Sequence, residues 1–367
     1  MNETLGGGIM VTRSMLPPLE EYVDYLKLIW QSHHLTNSGP LSLELEKRLK
    51  EFLGCDELSF VSNGTIALQL ALKALDVRGE VITSPFSYVA TTSAILWENC
   101  SPVFVDVRPQ DLTIDPKQIA AAITPRTSAI LATHVYGFPC ELEAIARLAR
   151  QYKLKVIYDA AHTFGCRVDG RHLATYGDIS CLSFHATKVF HTAEGGAVVI
   201  NGDPPVAERV RLMRSFGHSS DDHRCVGING KNSELHAAMG LCNLPRVPAA
   251  LAMRQRLHAH YVQLLAGSAV KVLHSAHPNL DYNYAYFPVL LPDGAAVART
   301  LAILAAKNIH PRRYFFPSIN QIPYIQGGAC PVSERAAQSV LCLPLSDLVS
   351  AEVQETVATA ILQATRY

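Results

Sequence analysis

Between about residue 57 and residue 201, short β-branched runs alternate with stretches of helical texture, and this alternation narrows the fold more than any other feature. Glu80–Thr83, Pro102–Asp106, Ser128–Ala132, Lys155–Tyr158, Ile179–Phe184 and Ala197–Ile200 read as strands. Helices are expected between them at Thr65–Leu75, Ser87–Trp97, Pro116–Ile123 and Glu141–Gln151. Strands that are apolar along their whole length are buried on both faces. The expected fold class is therefore α/β, with a large, mostly parallel sheet covered by helices on either side.

After about residue 235 the texture changes. Ser233–Leu244 and Pro248–Leu265 read as helices, the second stopping before Gly267. A strand at Tyr284–Leu291 and helices at Ala295–Asn308 and Ala351–Ala364 follow. A chain of 367 residues with 49% apolar and 17% charged side chains has enough apolar surface for two cores and too little charge for disorder. The expected division is a large domain over residues 1–240 and a smaller α+β domain over 241–367, with the stretch before Leu41 packing on the smaller one.

Charge and cysteine usage exclude several classes. Thirty-two basic residues balance thirty-two acidic ones, which leaves no excess to recruit nucleic acid or an anionic membrane. The nine cysteines are odd in number and form no C-x-x-C pair, against both a disulfide framework and a zinc knuckle. Met1–Leu16 holds no apolar block of signal-peptide length, and no apolar run reaches the roughly 18 residues of a membrane helix. A soluble, cytoplasmic protein is expected. H-E-x-x-H, G-x-G-x-x-G and P-loop patterns are missing, so no metal, NAD or ATP site is expected.

Two residues at strand ends carry the first hint of chemistry. Lys188 follows the strand ending in Ser183-Phe184 and sits among Phe184, Val189 and Phe190. Its tail either snorkels to solvent or is desolvated, kept partly neutral as a nucleophile. Asp159 ends Val156-Ile157-Tyr158, and either caps a helix or faces a site at the carboxyl edge of the sheet. Together the pair suits pyridoxal 5'-phosphate, whose ring nitrogen needs a carboxylate and whose aldehyde needs an amine. Ser62-Asn63-Gly64-Thr65 before an apolar helix offers a phosphate site of free N–H groups, and Ser183 is placed to add a hydroxyl. Tyr88, after another strand, is either a core aromatic or a ring stacked on the cofactor. Glu194-Gly195-Gly196 makes a turn whose small residues let backbone come close.

In this order, Ser62–Thr65, Ser84–Thr92, Asp159-Ala160-Ala161-His162, Ser183–Lys188, Glu194–Gly196 and Val226–Lys231 resemble the DegT/DnrJ/StrS family of nucleotide-sugar aminotransferases, which have the aspartate-aminotransferase fold (fold type I). The resemblance runs from Leu35 to the last helix. It implies pyridoxal 5'-phosphate held by Lys188 through a Schiff base, with Asp159 on the ring nitrogen. It also implies His162 near the ring hydroxyl, Tyr88 stacked on the ring, and Gly64, Thr65 and Ser183 on the phosphate. Asn229 would reach the phosphate of a neighbouring subunit, which makes the working unit a homodimer with shared sites. Where relatives often read Tyr-Arg-Met, this chain has Gly230-Lys231-Asn232.

Ser183–Phe190 and Arg312-Arg313-Tyr314-Phe315-Phe316-Pro317 are most similar to the members that form dTDP-4-amino-4,6-dideoxyglucose. Arg312, Arg313 and Tyr314 are accordingly expected to line the sugar-nucleotide cleft. The implied reaction transfers an amino group from glutamate to a nucleotide-linked 4-keto-6-deoxyhexose. A 3-aminating enzyme, a sugar dehydratase or a non-catalytic regulator on the same scaffold are the alternatives. Dehydratase relatives carry histidine in place of the lysine, and the intact Lys188 and Asp159 pair opposes both of the last two.

Overall fold

The computed structural model of the chain describes residues 7–366; Met1–Gly6, part of the Met1–Leu16 segment, and Tyr367 lie outside the described residues. Its centre is a seven-stranded sheet of β1 (Glu57–Val61), β2 (Glu80–Thr83), β3 (Ser101–Phe104), β4 (Thr127–Thr133), β5 (Lys155–Asp159), β6 (Ile179–Ser183) and β7 (Gly196–Ile200). In space the order is β1-β7-β6-β5-β4-β2-β3. All neighbours are parallel except β7, which runs antiparallel to both β1 and β6. The register sets Thr133 beside Asp159 and Asp159 beside Cys181, so three side chains share one carboxyl edge.

Helices α3 (Gly64–Ala74), α4 (Val89–Trp97), α5 (Pro116–Ala122), α6 (Leu142–Tyr152) and α7 (Pro204–Met213) connect or cover these strands. Asn63 caps α3 by accepting from the Ile66 N–H at 2.9 Å. Ala67, Ala71 and Ala74 are fully buried, and their small side chains let Leu68 and Leu72 reach the sheet. Each such leucine contributes roughly 1.5–3 kcal/mol.

Two further helices precede the sheet, α1 (Leu19–Ser32) and α2 (Pro40–Leu53), which the strand–helix alternation does not announce. α2 starts on Pro40 and stops on Gly54, which takes φ 67° as the left-handed cap. Leu45, Leu49 and Leu53 bury one stripe of it. The stretch before Leu41 divides its contacts. Ile9–Met10 pairs in parallel with Ile309–His310, while α1 packs on α8 (Glu234–Asn243).

The C-terminal part holds α9 (Val247–Leu264), α10 (Gly294–Ala305), α11 (Pro331–Ser339) and α12 (Ala351–Ala364). They pack on a three-stranded antiparallel sheet of β8 (Lys271–Val272), β9 (Phe287–Leu290) and β10 (Val340–Leu343). Its core joins Tyr261, Phe287, Val289, Leu304, Leu341 and Ile361. β9 is shorter than the expected Tyr284–Leu291 because Tyr284 takes φ 50°, which no strand continues through. Asn308 at φ 57° similarly lies beyond the end of α10. Among the described residues, no helix is long and apolar enough to cross a membrane.

Candidate active site

A cavity of about 500 Å³ opens at the carboxyl edge of the sheet, where crevices form in open α/β folds. Asp159, at the last position of β5, is buried in its floor. No helix begins there, because the residues after it form turns, and its Oδ1 accepts the Ala161 N–H at 3.1 Å. Oδ2 accepts from the Thr91 hydroxyl at 2.6 Å. Thr91 is in turn 2.7 Å from Ser87 Oγ, and Ser87 is 3.0 Å from Thr133 Oγ1. Each hydroxyl has one proton. With the Thr91 proton on Asp159, Ser87 donates to Thr91 and Thr133 donates to Ser87. Three hydroxyl dipoles therefore line up towards one carboxylate. Burial raises the pKa of that carboxyl, while Thr91, Ala161 and the charge of Lys188 pull it back.

Lys188 projects from the connection between β6 and β7 into the same cavity. Burial of its amine pushes the pKa down to about 8, against the opposing charge of Asp159. About a tenth of the amine is then neutral at pH 7, far more than for an exposed lysine, as a nucleophilic amine needs. Its Nζ lies 3.4 Å from the phenol oxygen of Tyr286. His162 is buried beside them and accepts the Tyr136 N–H on Nδ1 at 3.0 Å. Desolvation and the nearby Lys188 hold its pKa well below the usual imidazole value. The neutral ring must then carry its proton on Nε2, leaving that nitrogen as a donor.

Gly64 and Thr65 open α3 at the cavity wall, so their unpaired N–H groups and the positive helix end face an anion's place. Ser183 stands opposite. A Cβ on Gly64 would come 3.0 Å from the Ser183 Cβ. A Cβ on Gly196 would lie 2.6 Å from the Asn63 carbonyl carbon and 2.8 Å from the Gly64 nitrogen. Both glycines are thus what lets strand and helix end meet. The turn before β7 is held by Asn232, whose Nδ2 donates to the Glu194 and Val61 carbonyls at 2.9 and 3.2 Å.

Tyr88 and Tyr314 also line the cavity, Tyr88 as an exposed ring at the start of α4. The remaining expected residues lie outside it. Arg313 is committed elsewhere, donating to the Ala337 and Gln338 carbonyls at 3.0 and 3.2 Å and resting 3.4 Å over the Phe316 ring. Arg312 is exposed and pairs through its backbone with Cys342. Asn229 is exposed, and its Oδ1 accepts from Lys231 Nζ at 2.7 Å. Sequence reasoning passed over Thr91, Thr133, Tyr286 and Phe315. Thr91 lies within the Ser84–Thr92 segment and Phe315 within Arg312–Pro317; Thr133 and Tyr286 are brought in from other segments by the fold alone.

The cavity fits pyridoxal 5'-phosphate on its own donor set. It offers one desolvated amine, one buried carboxylate with an aligned hydroxyl row, one imidazole donor, and a cradle of backbone N–H groups closed by glycines. No group of three or more metal-binding side chains gathers among the described residues.

Comparison with known proteins agrees with the geometry. Residues 19–362 match the DegT/DnrJ/EryC1/StrS aminotransferase family. The chain is 42% identical over 361 residues to a dTDP-4-amino-4,6-dideoxy-D-glucose transaminase of Shigella dysenteriae, covering 96% of this chain and 98% of that one. A transaminase of the same name from Escherichia coli is 40% identical over 364 residues, at 96% and 98% coverage. Among solved structures, DesI, crystallised in the presence of its TDP-sugar product, superposes with a TM-score of 0.92 at 34% identity over 99% of this chain and 94% of that one. The chain belongs to the DegT/DnrJ/EryC1/StrS aminotransferases, and its chemistry is that of a pyridoxal 5'-phosphate-dependent enzyme.

Proposed function

We propose that the chain aminates C4 of dTDP-4-keto-6-deoxyglucose, giving dTDP-4-amino-4,6-dideoxyglucose, with glutamate as amino donor. The observation that carries the reaction class is the desolvated Lys188 amine sharing one cavity with buried Asp159. The near-full-length likeness to two transaminases of that product supports the substrate.

When bound, the cofactor supplies a carbonyl for the incoming amine and an electron-poor ring that takes up the electrons left by proton removal. The protein's own residues do the rest. Asp159 keeps a proton on the ring nitrogen, and the hydroxyl row from Thr133 through Ser87 and Thr91 stabilises its charge. His162 offers its Nε2 proton to the ring hydroxyl oxygen. The Gly64 and Thr65 N–H groups and the Ser183 hydroxyl hold the phosphate. Tyr88 covers the ring face. Lys188, once its amine is free, takes a proton from the glutamate carbon and returns it as general base and acid. The keto sugar then enters the same site and the sequence runs in reverse, giving ping-pong kinetics.

The substrate assignment has a direct test. Enzyme loaded with pyridoxamine 5'-phosphate should turn over dTDP-4-keto-6-deoxyglucose faster than its 3-keto isomer, and product NMR should find nitrogen on C4. Nitrogen on C3, or no reaction with any 4-keto sugar nucleotide, overturns the assignment and leaves the cofactor chemistry standing. Tyr314, which lines the cavity, is the expected sugar-nucleotide contact; Arg313 would have to leave its carbonyl partners to serve.

We also propose that Asn229 acts in the site of a second copy of the chain. Its exposure and its absence from its own cavity support this reading. Subunits carrying Asn229→Ala should regain activity when mixed with subunits carrying Lys188→Ala, because one of the two sites in each heterodimer then holds both native residues. No recovery, with subunit exchange verified, counts against a shared site.

A further inference from the structure

Among the described residues, the contact with Tyr286 is the only side-chain hydrogen bond Lys188 makes. The phenol is fixed from several sides. Its ring lies 4.6 Å from His162 and stands perpendicular to Tyr314 at 5.7 Å. Its backbone carbonyl accepts from the Tyr282 hydroxyl at 3.2 Å. The preceding carbonyl, that of Ala285, accepts from Arg254 Nη1 at 3.2 Å. Arg254 is buried and has no ion-pair partner among the described residues. Tyr286 is itself buried, and its ring already sits in one packed position. The lysine tail, by contrast, has four rotatable bonds.

We propose that Tyr286 is a positioning residue of this transaminase: its phenol oxygen holds the Lys188 amine in place whenever that amine is free to move protons. A phenol suits this task in both protonation states. It accepts a hydrogen bond from the ammonium and donates one to the lone pair of the neutral amine. Burial raises the pKa of Tyr286 above the usual phenol value, so it keeps its own proton throughout and guides the amine without replacing it. The proposal rests on Lys188 being the reacting amine, and not on which sugar is aminated.

The test is Tyr286→Phe, which preserves the ring contacts. In the holoenzyme, kcat should fall by about 10- to 100-fold, within the range of a group that positions proton transfer, while KM changes by less than about threefold. A second measurement needs no substrate. The full-length chain stripped of cofactor is treated with fluorodinitrobenzene, and arylation of the Lys188 peptide is followed by mass spectrometry across pH. The bond from ammonium to phenol is the stronger of the two, being charge-assisted. Losing it lowers the amine's pKa, so labelling at pH 6.5 should become about three- to tenfold faster in Tyr286→Phe and converge with native above pH 9. Faster labelling with slower turnover is the expected signature. A labelling profile that superposes on native, or turnover within twofold of native, overturns the proposal. Labelling that fails to occur at Lys188 in either protein overturns the premise about the amine instead.

Discussion

Lys188→Ala is expected to abolish the visible absorbance that borohydride reduction bleaches and to lower transamination by about 10^4-fold, the upper end of what one positioned acid–base group supplies, with the covalent link lost as well. No second lysine lines the cavity, so nothing in the same chain stands in for it. The fold should not suffer. The native amine is held in a place that disfavours its charge, and deleting it removes that cost. An equal or slightly higher melting temperature of the cofactor-free protein, together with lost activity, separates a chemical role from a structural one. Near-normal turnover would remove Lys188 from the mechanism.

Asp159→Asn should slow the half-reaction with glutamate by about 10^3-fold, equivalent to roughly 4 kcal/mol and in the range that loss of one partner of a buried ion pair costs. The amide oxygen still accepts from Thr91, while the amide nitrogen takes the place of the oxygen that accepts the Ala161 N–H, so one hydrogen bond goes with the charge. Stability gives the complementary reading. The folded carboxyl holds its proton more tightly than an unfolded one, so its contribution is complete below the unfolded value and is lost as pH rises through the folded one. In the cofactor-free protein, Asp159→Asn should therefore melt at a higher temperature than native at pH 7, and the two should converge in acid. An unchanged half-reaction rate would reduce Asp159 to a structural residue.

The strand ends that carry this chemistry were legible because each is marked locally. An acid after Val-Ile-Tyr and a lysine after Ser-Phe stand out against apolar runs, and the sheet follows from β-branched spacing. What surrounds them is not local. Thr133 reaches Ser87 only because β4 lies beside β2, whose following loop carries Ser87. Tyr286 comes from a segment about a hundred residues beyond Lys188, and neighbouring tyrosines at 282 and 284 gave no reason to prefer it. Arg313 shows the opposite failure. A guanidinium within a suggestive motif rests on the motif's own Phe316 ring and donates to carbonyls at the end of α11, partners the motif does not contain. Helix α2 was readable in principle from Pro40, Gly54 and its leucine spacing; α7, short and starting on two prolines, carried a weaker signal.

The connection that bears Lys188 joins two adjacent strands of opposite direction and is fastened along its length. The Phe184 N–H donates to the Gly195 carbonyl at 2.8 Å, and the Thr192 N–H to the Phe184 carbonyl at 3.0 Å. The rings of Phe184 and Phe190 meet at 4.9 Å beneath it, and His191 Nε2 reaches the Met15 carbonyl at 2.8 Å. A backbone secured in this way fixes the lysine's main chain at both ends of the connection. The amine therefore travels on its own side-chain torsions, without the nanosecond-to-microsecond motion of a loop or the slower motion of a lid. Delivery of the amine then waits on no loop movement, so solvent viscosity should slow substrate exchange without touching the lysine's own motion.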